Sequence, residues 1–126
     1  MSGHVLVVDD SAVNLKLACR LLEHAGYAVR QAEDAETALA MIRADPPILL
    51  LLDLQLPQMD GLTLARILKA DERTRNFPIV ALTAHAMRGN AATAHAAGCE
   101  GYLTKPIDTR RFGAQMAEYL GGKKDV

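Results

Sequence analysis

The sequence predicts an α/β domain: a parallel five-stranded sheet with helices on both faces. Short apolar or β-branched runs alternate five times with stretches of helical periodicity. The segments between successive strands are long enough for right-handed βαβ crossovers. The run Ile48-Leu49-Leu50-Leu51-Leu52, between Pro46-Pro47 and a loop rich in Pro and Gly, reads as a strand buried on both faces. Such strands are typical of the middle of a parallel sheet.

His4-Val5-Leu6-Val7-Val8 gives the first strand, ending in Asp9-Asp10, and Ser11 or Asp10 can cap the helix that follows. Leu15, Ala18, Leu22 and Ala25 recur at helical spacing until Gly26 stops the run. Residues 27–31 form a shorter second strand. Ala35, Ala38, Leu39 and Ile42 mark one helix face, closed by Asp45-Pro46-Pro47. The central strand ends at Asp53. After the Asp60-Gly61 turn, Leu64, Ala65 and Leu68 define a third helix, and residues 77–82 a fourth strand with Pro78 near its start. Residues 85–97 are Ala-rich with few large side chains, which predicts a weakly anchored helix ended by Gly98. Gly101-Tyr102-Leu103-Thr104 is the fifth strand. A last helix runs from Asp108, with Phe112, Met116 and Tyr119 on one side, and the tail after Gly121-Gly122 frays. The doubly wound order that fits is 2-1-3-4-5, a flavodoxin-like (βα)5 three-layer sandwich, which places ligands at the carboxyl ends of strands 1 and 3.

The totals narrow the function. The 126 residues make one domain, 1–126, with no linker to a second, separate output domain. Charge is nearly balanced, 14 basic against 15 acidic residues, which argues against a nucleic-acid surface. No apolar run reaches the roughly 18 residues of a membrane span. With no signal-peptide pattern at the N-terminus, a cytoplasmic location is expected. Cys19 and Cys99 have no metal-site spacing and read as reduced packing residues.

The strand ends carry the chemistry. Asp9-Asp10 follows strand 1, Asp53 ends strand 3, Thr83 strand 4, and Lys105-Pro106 strand 5. In the 2-1-3-4-5 order these four ends are neighbours in one shallow cleft. Crowded carboxylates repel, and a divalent cation relieves that; the donors are all hard oxygens, which suits Mg²⁺ over Zn²⁺. A carboxylate nucleophile flanked by Mg²⁺, an ammonium and a hydroxyl is equipped for phosphoryl transfer. Taken singly, each residue has a plainer reading: Asp9-Asp10 as a helix cap, Asp53 as a turn residue, Thr83 as a strand-end hydroxyl, Lys105-Pro106 as a solvated turn.

At these residues the chain resembles the receiver domains of bacterial two-component response regulators. The motifs are Val7-Val8-Asp9-Asp10, Leu52-Asp53-Leu54-Gln55-Leu56-Pro57 with Met59-Asp60-Gly61, Leu82-Thr83-Ala84, and Gly101-Tyr102-Leu103-Thr104-Lys105-Pro106-Ile107. The blocks 83–89 and 97–99 are similar to single-domain cell-cycle regulators and to hybrid histidine kinase receivers. The resemblance implies that Asp53 takes a phosphoryl group from a phosphohistidine of a histidine kinase or histidine phosphotransfer protein. It also implies that Asp10, Asp53 and the Gln55 backbone carbonyl ligate Mg²⁺, with Asp9 acting mainly through water. Lys105 would pair with Asp53 and then with the phosphate, and the Lys105-Pro106 bond would be cis. Thr83 would move to bond the phosphate, and Tyr102 would shift between outward and inward rotamers. Gln55 and His85 occupy positions that tune phosphate lifetime in the family, while His4, His24 and His95 read as surface or packing residues. Such a domain is a phosphoacceptor signalling switch and not an enzyme with a separate substrate.

Phosphorylation adds nearly two negative charges at Asp53. The donors able to answer, Thr83 and Lys105, lie on the side of strands 4 and 5, so the output surface is expected on the fourth helix, strand 5 and the last helix. That surface would bind a downstream effector protein, neither nucleic acid nor membrane, and a phosphorylation-linked dimer stays open. Rival readings fare worse. A haloacid-dehalogenase-type phosphatase needs an acid where Gln55 stands, and a flavodoxin needs a hydroxyl- and Gly-rich loop where Asp9-Asp10-Ser11-Ala12-Val13-Asn14 stands. A degenerate receiver acting without phosphorylation would lack one of Asp10, Asp53 or Lys105. The chain could be a receiver cut from a hybrid kinase, although Met1 and the short tail favour a stand-alone protein.

Overall fold

In the computed structural model, residues 3–56, 59, 61–83, 90–104 and 107–120 are described. The elements run β1 (His4–Val8), α1 (Ala12–His24), β2 (Ala28–Ala32), α2 (Ala35–Ala44), β3 (Leu49–Asp53), α3 (Gly61–Ala70), β4 (Ile79–Thr83), α4 (Asn90–Ala96), β5 (Gly101–Thr104) and α5 (Phe112–Tyr119). All pairings are parallel and the order is β2-β1-β3-β4-β5, as the alternation predicts.

Strand periodicity builds the three layers. Leu49 and Leu51 of β3 join a cluster with Leu15 and Leu22 of α1 and with Phe112 and Met116 of α5. Leu50 and Leu52 point the other way, into a cluster with Ile42 of α2, Leu64 and Leu68 of α3, and Ala94 of α4. Every residue of β1, β3 and β4 is buried, so these three strands form the dry centre. Among the described residues no helix is long and apolar enough to cross a membrane.

Several boundaries depart from the sequence reading, each for a local reason. Ile48, though apolar, stays 41% exposed ahead of β3, where its N–H bonds the His4 carbonyl. Ala25 is exposed and caps α1 instead of extending its buried face; Gly26, at φ 101°, then lets the Tyr27 N–H return to the Leu22 carbonyl. The second strand is displaced by one residue, to Ala28–Ala32. The fourth begins at Ile79, not residue 77, because Pro78 has no N–H to give the ladder. Its carbonyl still accepts from Leu50 N, and Glu100 Oε1 takes the Ile79 N–H at 2.8 Å. The other Glu100 oxygen holds Lys69 Nζ at 2.8 Å, and Lys69 also donates to the carbonyls of Arg75 and Phe77. The end of α3 is thereby tied to the start of β4.

The last helix is regular only from Phe112, because Asp108 first organises a tight turn. Its carboxylate accepts from Arg110 N, and its carbonyl from Arg111 N and Phe112 N. Residues 90–96 of the predicted fourth helix are helical, and residues 85–89 of that prediction lie outside the described residues. Both cysteines are free and buried. Burial, helped by Glu100 and opposed by Lys69, raises the Cys99 thiol to about 11, which leaves it an inert packing group.

His4 is a packing residue rather than a surface one, 7% exposed at the start of β1. Burial first, then the Arg30 guanidinium, hold it below its ordinary 6.5, with Asp45 in partial opposition. Above 6.5 folded and unfolded chains are both neutral at this position, so it contributes nothing. Below 6.5 the unfolded chain takes the proton first, and stability falls until the folded-state value is reached. His4→Gln is therefore expected to flatten the loss of stability as the pH falls below 6.5 in urea unfolding. An unchanged pH slope would exclude His4 as its source.

Candidate phosphoacceptor and metal site

The carboxyl ends of β1, β3 and β4 converge. Beyond β1 the backbone continues alongside β2, with the Asp9 N–H on the Ala32 carbonyl at 3.2 Å. Asp9 is 1% exposed, and its Oδ1 accepts the Ser11 N–H at 2.9 Å. Ser11 in turn caps α1, its Oγ accepting from Asn14 N at 3.3 Å. The N-cap of α1 is thus Ser11, not Asp9 or Asp10. Asp10, between them, faces solvent.

Asp53 repeats the device at the end of β3. It is 1% exposed, and Oδ1 accepts the Gln55 N–H at 2.9 Å. A carboxylate bonding the backbone two residues ahead turns the chain and fixes the side chain's direction. The following loop is held from two sides, by Leu54 N on the Leu82 carbonyl and Gly61 N on the Leu54 carbonyl. Gly61 has to be glycine on steric grounds. A Cβ there would stand 2.6 Å from the Asp53 carbonyl oxygen and 2.7 Å from Leu54 Cα, backbone atoms that cannot yield.

The result is that ligand atoms of Asp9, Asp10 and Asp53 all lie within 4.8 Å of one another. Two of these carboxylates are buried and the third is exposed, so the cluster opens to solvent on the Asp10 side. A set made wholly of hard oxygens, with room for water at its open side, fits a hard divalent cation such as Mg²⁺ and offers nothing to a soft metal.

Thr83 ends β4, 1% exposed and in register with Thr104 of β5. Its Oγ1 accepts from Gln55 Nε2 at 3.2 Å. The sequence reading missed this contact because it used only the Gln55 backbone. The signal was there in part: a turn after β3 that folds back on Asp53 carries residue 55 toward the next strand in the sheet, β4. Tyr102 is half-buried and packs against the cluster shared by α2, α3 and α4. Lys105, Pro106 and His85 lie outside the described residues, so the expected ion pair and cis bond are not placed.

Comparison with known proteins agrees with this fold. The family model described as "Response regulator receiver domain" matches residues 5–117. The polar-differentiation response regulators DivK of Brucella ovis and Brucella suis are 39% identical over 121 residues, 96% of this chain and 98% of theirs. A putative response regulator from Chloroflexus aurantiacus superposes with a TM-score of 0.91 at 30% identity, covering 96% of this chain and 99% of that one. The Vibrio cholerae chemotaxis protein CheY4 gives 0.88 at 25% identity, over 94% and 99%. The chain thus belongs to the response regulator receiver domains of two-component signalling.

Proposed function

We propose that Asp53 accepts a phosphoryl group from a phosphohistidine, carried by a histidine kinase or a histidine phosphotransfer protein. Its carboxylate attacks phosphorus, a P–O bond forms, and the P–N bond breaks with its electron pair passing to the donor imidazole. The observation that carries this reading is the placement of Asp53: buried, fixed through Oδ1, and within 4.8 Å of two further carboxylates. Asp9, Asp10 and Asp53, with the Gln55 carbonyl, would hold Mg²⁺. When bound, the cation supplies charge neutralisation for the phosphoryl oxygens. The residues of the chain do the rest. Gln55 N–H orients the Asp53 carboxylate, Lys105 pairs with it and afterwards with the phosphate, and Thr83 turns its hydroxyl to a phosphoryl oxygen.

Output in this reading passes to an effector protein through the face of α4, β5 and α5, with Tyr102 changing rotamer as Thr83 moves. Support comes from the sheet order, since Thr83 ends β4 and Lys105 follows β5 in sequence, so that their rearrangement would reach that face first. The two free, buried cysteines fit a reducing cytoplasm.

The test is intact-mass analysis after treatment with acetyl phosphate and Mg²⁺. Wild type is expected to gain one phosphoryl group and Asp53→Asn none. Asn keeps an oxygen for the Gln55 N–H, so the loop stays in place. An adduct retained by Asp53→Asn would move the acceptor elsewhere. No adduct on wild type would favour a phosphorylation-independent interaction module.

A further inference from the structure

Resting on that reading of Asp53, we propose that the Gln55 side chain is a positioning residue, a latch that holds Thr83 in its resting rotamer and sets how readily the switch turns. One residue touches both moving parts of the site: its N–H bonds Asp53 Oδ1 and its side-chain amide bonds Thr83 Oγ1. Asp53 and Thr83 are each 1% exposed while Gln55 is exposed, so the amide reaches inward over them from the solvent side.

The chemistry of the contact makes it a latch rather than a block. As acceptor to the amide, the Thr83 hydroxyl gives this contact a lone pair and not its proton. A β-branched side chain in a strand has few χ1 wells, so its hydroxyl relocates by a rotamer jump and not by drift. A jump that carries Oγ1 from its resting place toward a phosphoryl group on Asp53 breaks the 3.2 Å bond to Gln55 Nε2. The resting state therefore holds a hydrogen bond that the switched state loses. Deleting it favours switching by about two- to tenfold, the net worth of one uncharged hydrogen bond.

The experiment is a calorimetric titration of the Mg²⁺-saturated protein with beryllofluoride, a non-covalent phosphoryl mimic. Gln55→Leu, which keeps bulk but no hydrogen bond, and Gln55→Asn, which keeps polarity but is one methylene short, are each expected to bind about two- to tenfold tighter than wild type. Thr83→Val removes the hydroxyl at nearly constant volume. On that background Gln55→Leu is expected to change nothing, because the latch has nothing to hold. Equal affinity of wild type and both Gln55 variants overturns the latch alone. A Gln55→Leu effect that survives in Thr83→Val also overturns it, assigning Gln55 to a direct contact with the phosphoryl group. Failure of wild type to bind beryllofluoride at all removes the underlying reading of Asp53, and the latch with it.

Discussion

Adding Mg²⁺ to the metal-free protein is expected to raise its unfolding midpoint by on the order of 10 °C, and Asp10→Asn to remove most of that rise. A ligand that binds only the folded chain stabilises it by about 2.7 kcal/mol at 100 times its Kd, and in a domain of this size that corresponds to a shift of about this extent. The folded chain alone assembles the site, since Asp9-Asp10 and Asp53 come from strands 43 residues apart in sequence, counting from Asp10 to Asp53, and meet within 4.8 Å only through the β1–β3 pairing. Without the cation the same three charges repel, so Asp10→Asn in EDTA should be at least as stable as wild type. Asp10 suits the test because it is exposed, and its loss disturbs no packed neighbour. Asp9 does not suit it, since Asp9→Asn would also weaken the bond to Ser11 N that sets up the α1 cap. Thermal melts with and without Mg²⁺ decide the matter. A full shift retained in Asp10→Asn takes Asp10 out of the ligand set, and no shift in wild type takes Mg²⁺ out of the site.

The parts of this molecule legible from sequence are those where one physical signal dominates. The unbroken apolar run before Asp53 can be satisfied only between two helical layers, and that places β3 at the centre with its carboxyl end at the ligand edge. From the strand order alone, Asp9, Asp10 and Asp53 had to be neighbours. Where two signals compete, the reading slips. Ile48 and Phe77 are as apolar as the strands they precede, yet ladder membership is decided by backbone pairing, and there it starts one and two residues later. Ala25 fits the helical period but falls where Gly26 reverses the chain, so the cap overrides the period. Asp108 looks like a cap and acts as a turn organiser, which sets back the regular helix to Phe112. The Gln55–Thr83 bond was the least legible. It depends on where a flexible side chain lands after a turn, and no periodicity encodes that.

Phe112→Ala is expected to cost about 3–5 kcal/mol, a large share of the 5–15 kcal/mol that holds a domain of this kind together. Phe112 has no exposed surface, opens α5, and belongs to the same apolar cluster as Val80 and Leu82 of β4 and Met116 one turn further along the helix. An alanine there leaves a cavity under the first turn of α5. That turn has no side-chain cap at Arg111 to hold it independently, so the helix would rest on Met116 and Tyr119 further along. Val13→Ala, at a residue 76% exposed on α1, is the contrasting case and should stay within about 0.5 kcal/mol of wild type. Urea unfolding at pH 7 measures both. None of the three carboxylates is carried on α5: Asp53 ends β3, and Asp9 and Asp10 lie in the loop after β1. At urea concentrations where the variant is still folded, its Mg²⁺-induced shift should therefore match wild type even though α5 is loosened. A Phe112→Ala cost below about 1 kcal/mol would mean that α5 is not anchored through this ring, and the α5 side of the output face would then need another hinge. A lost Mg²⁺ response with only a small cost would instead mean that α5 supports the acidic site itself.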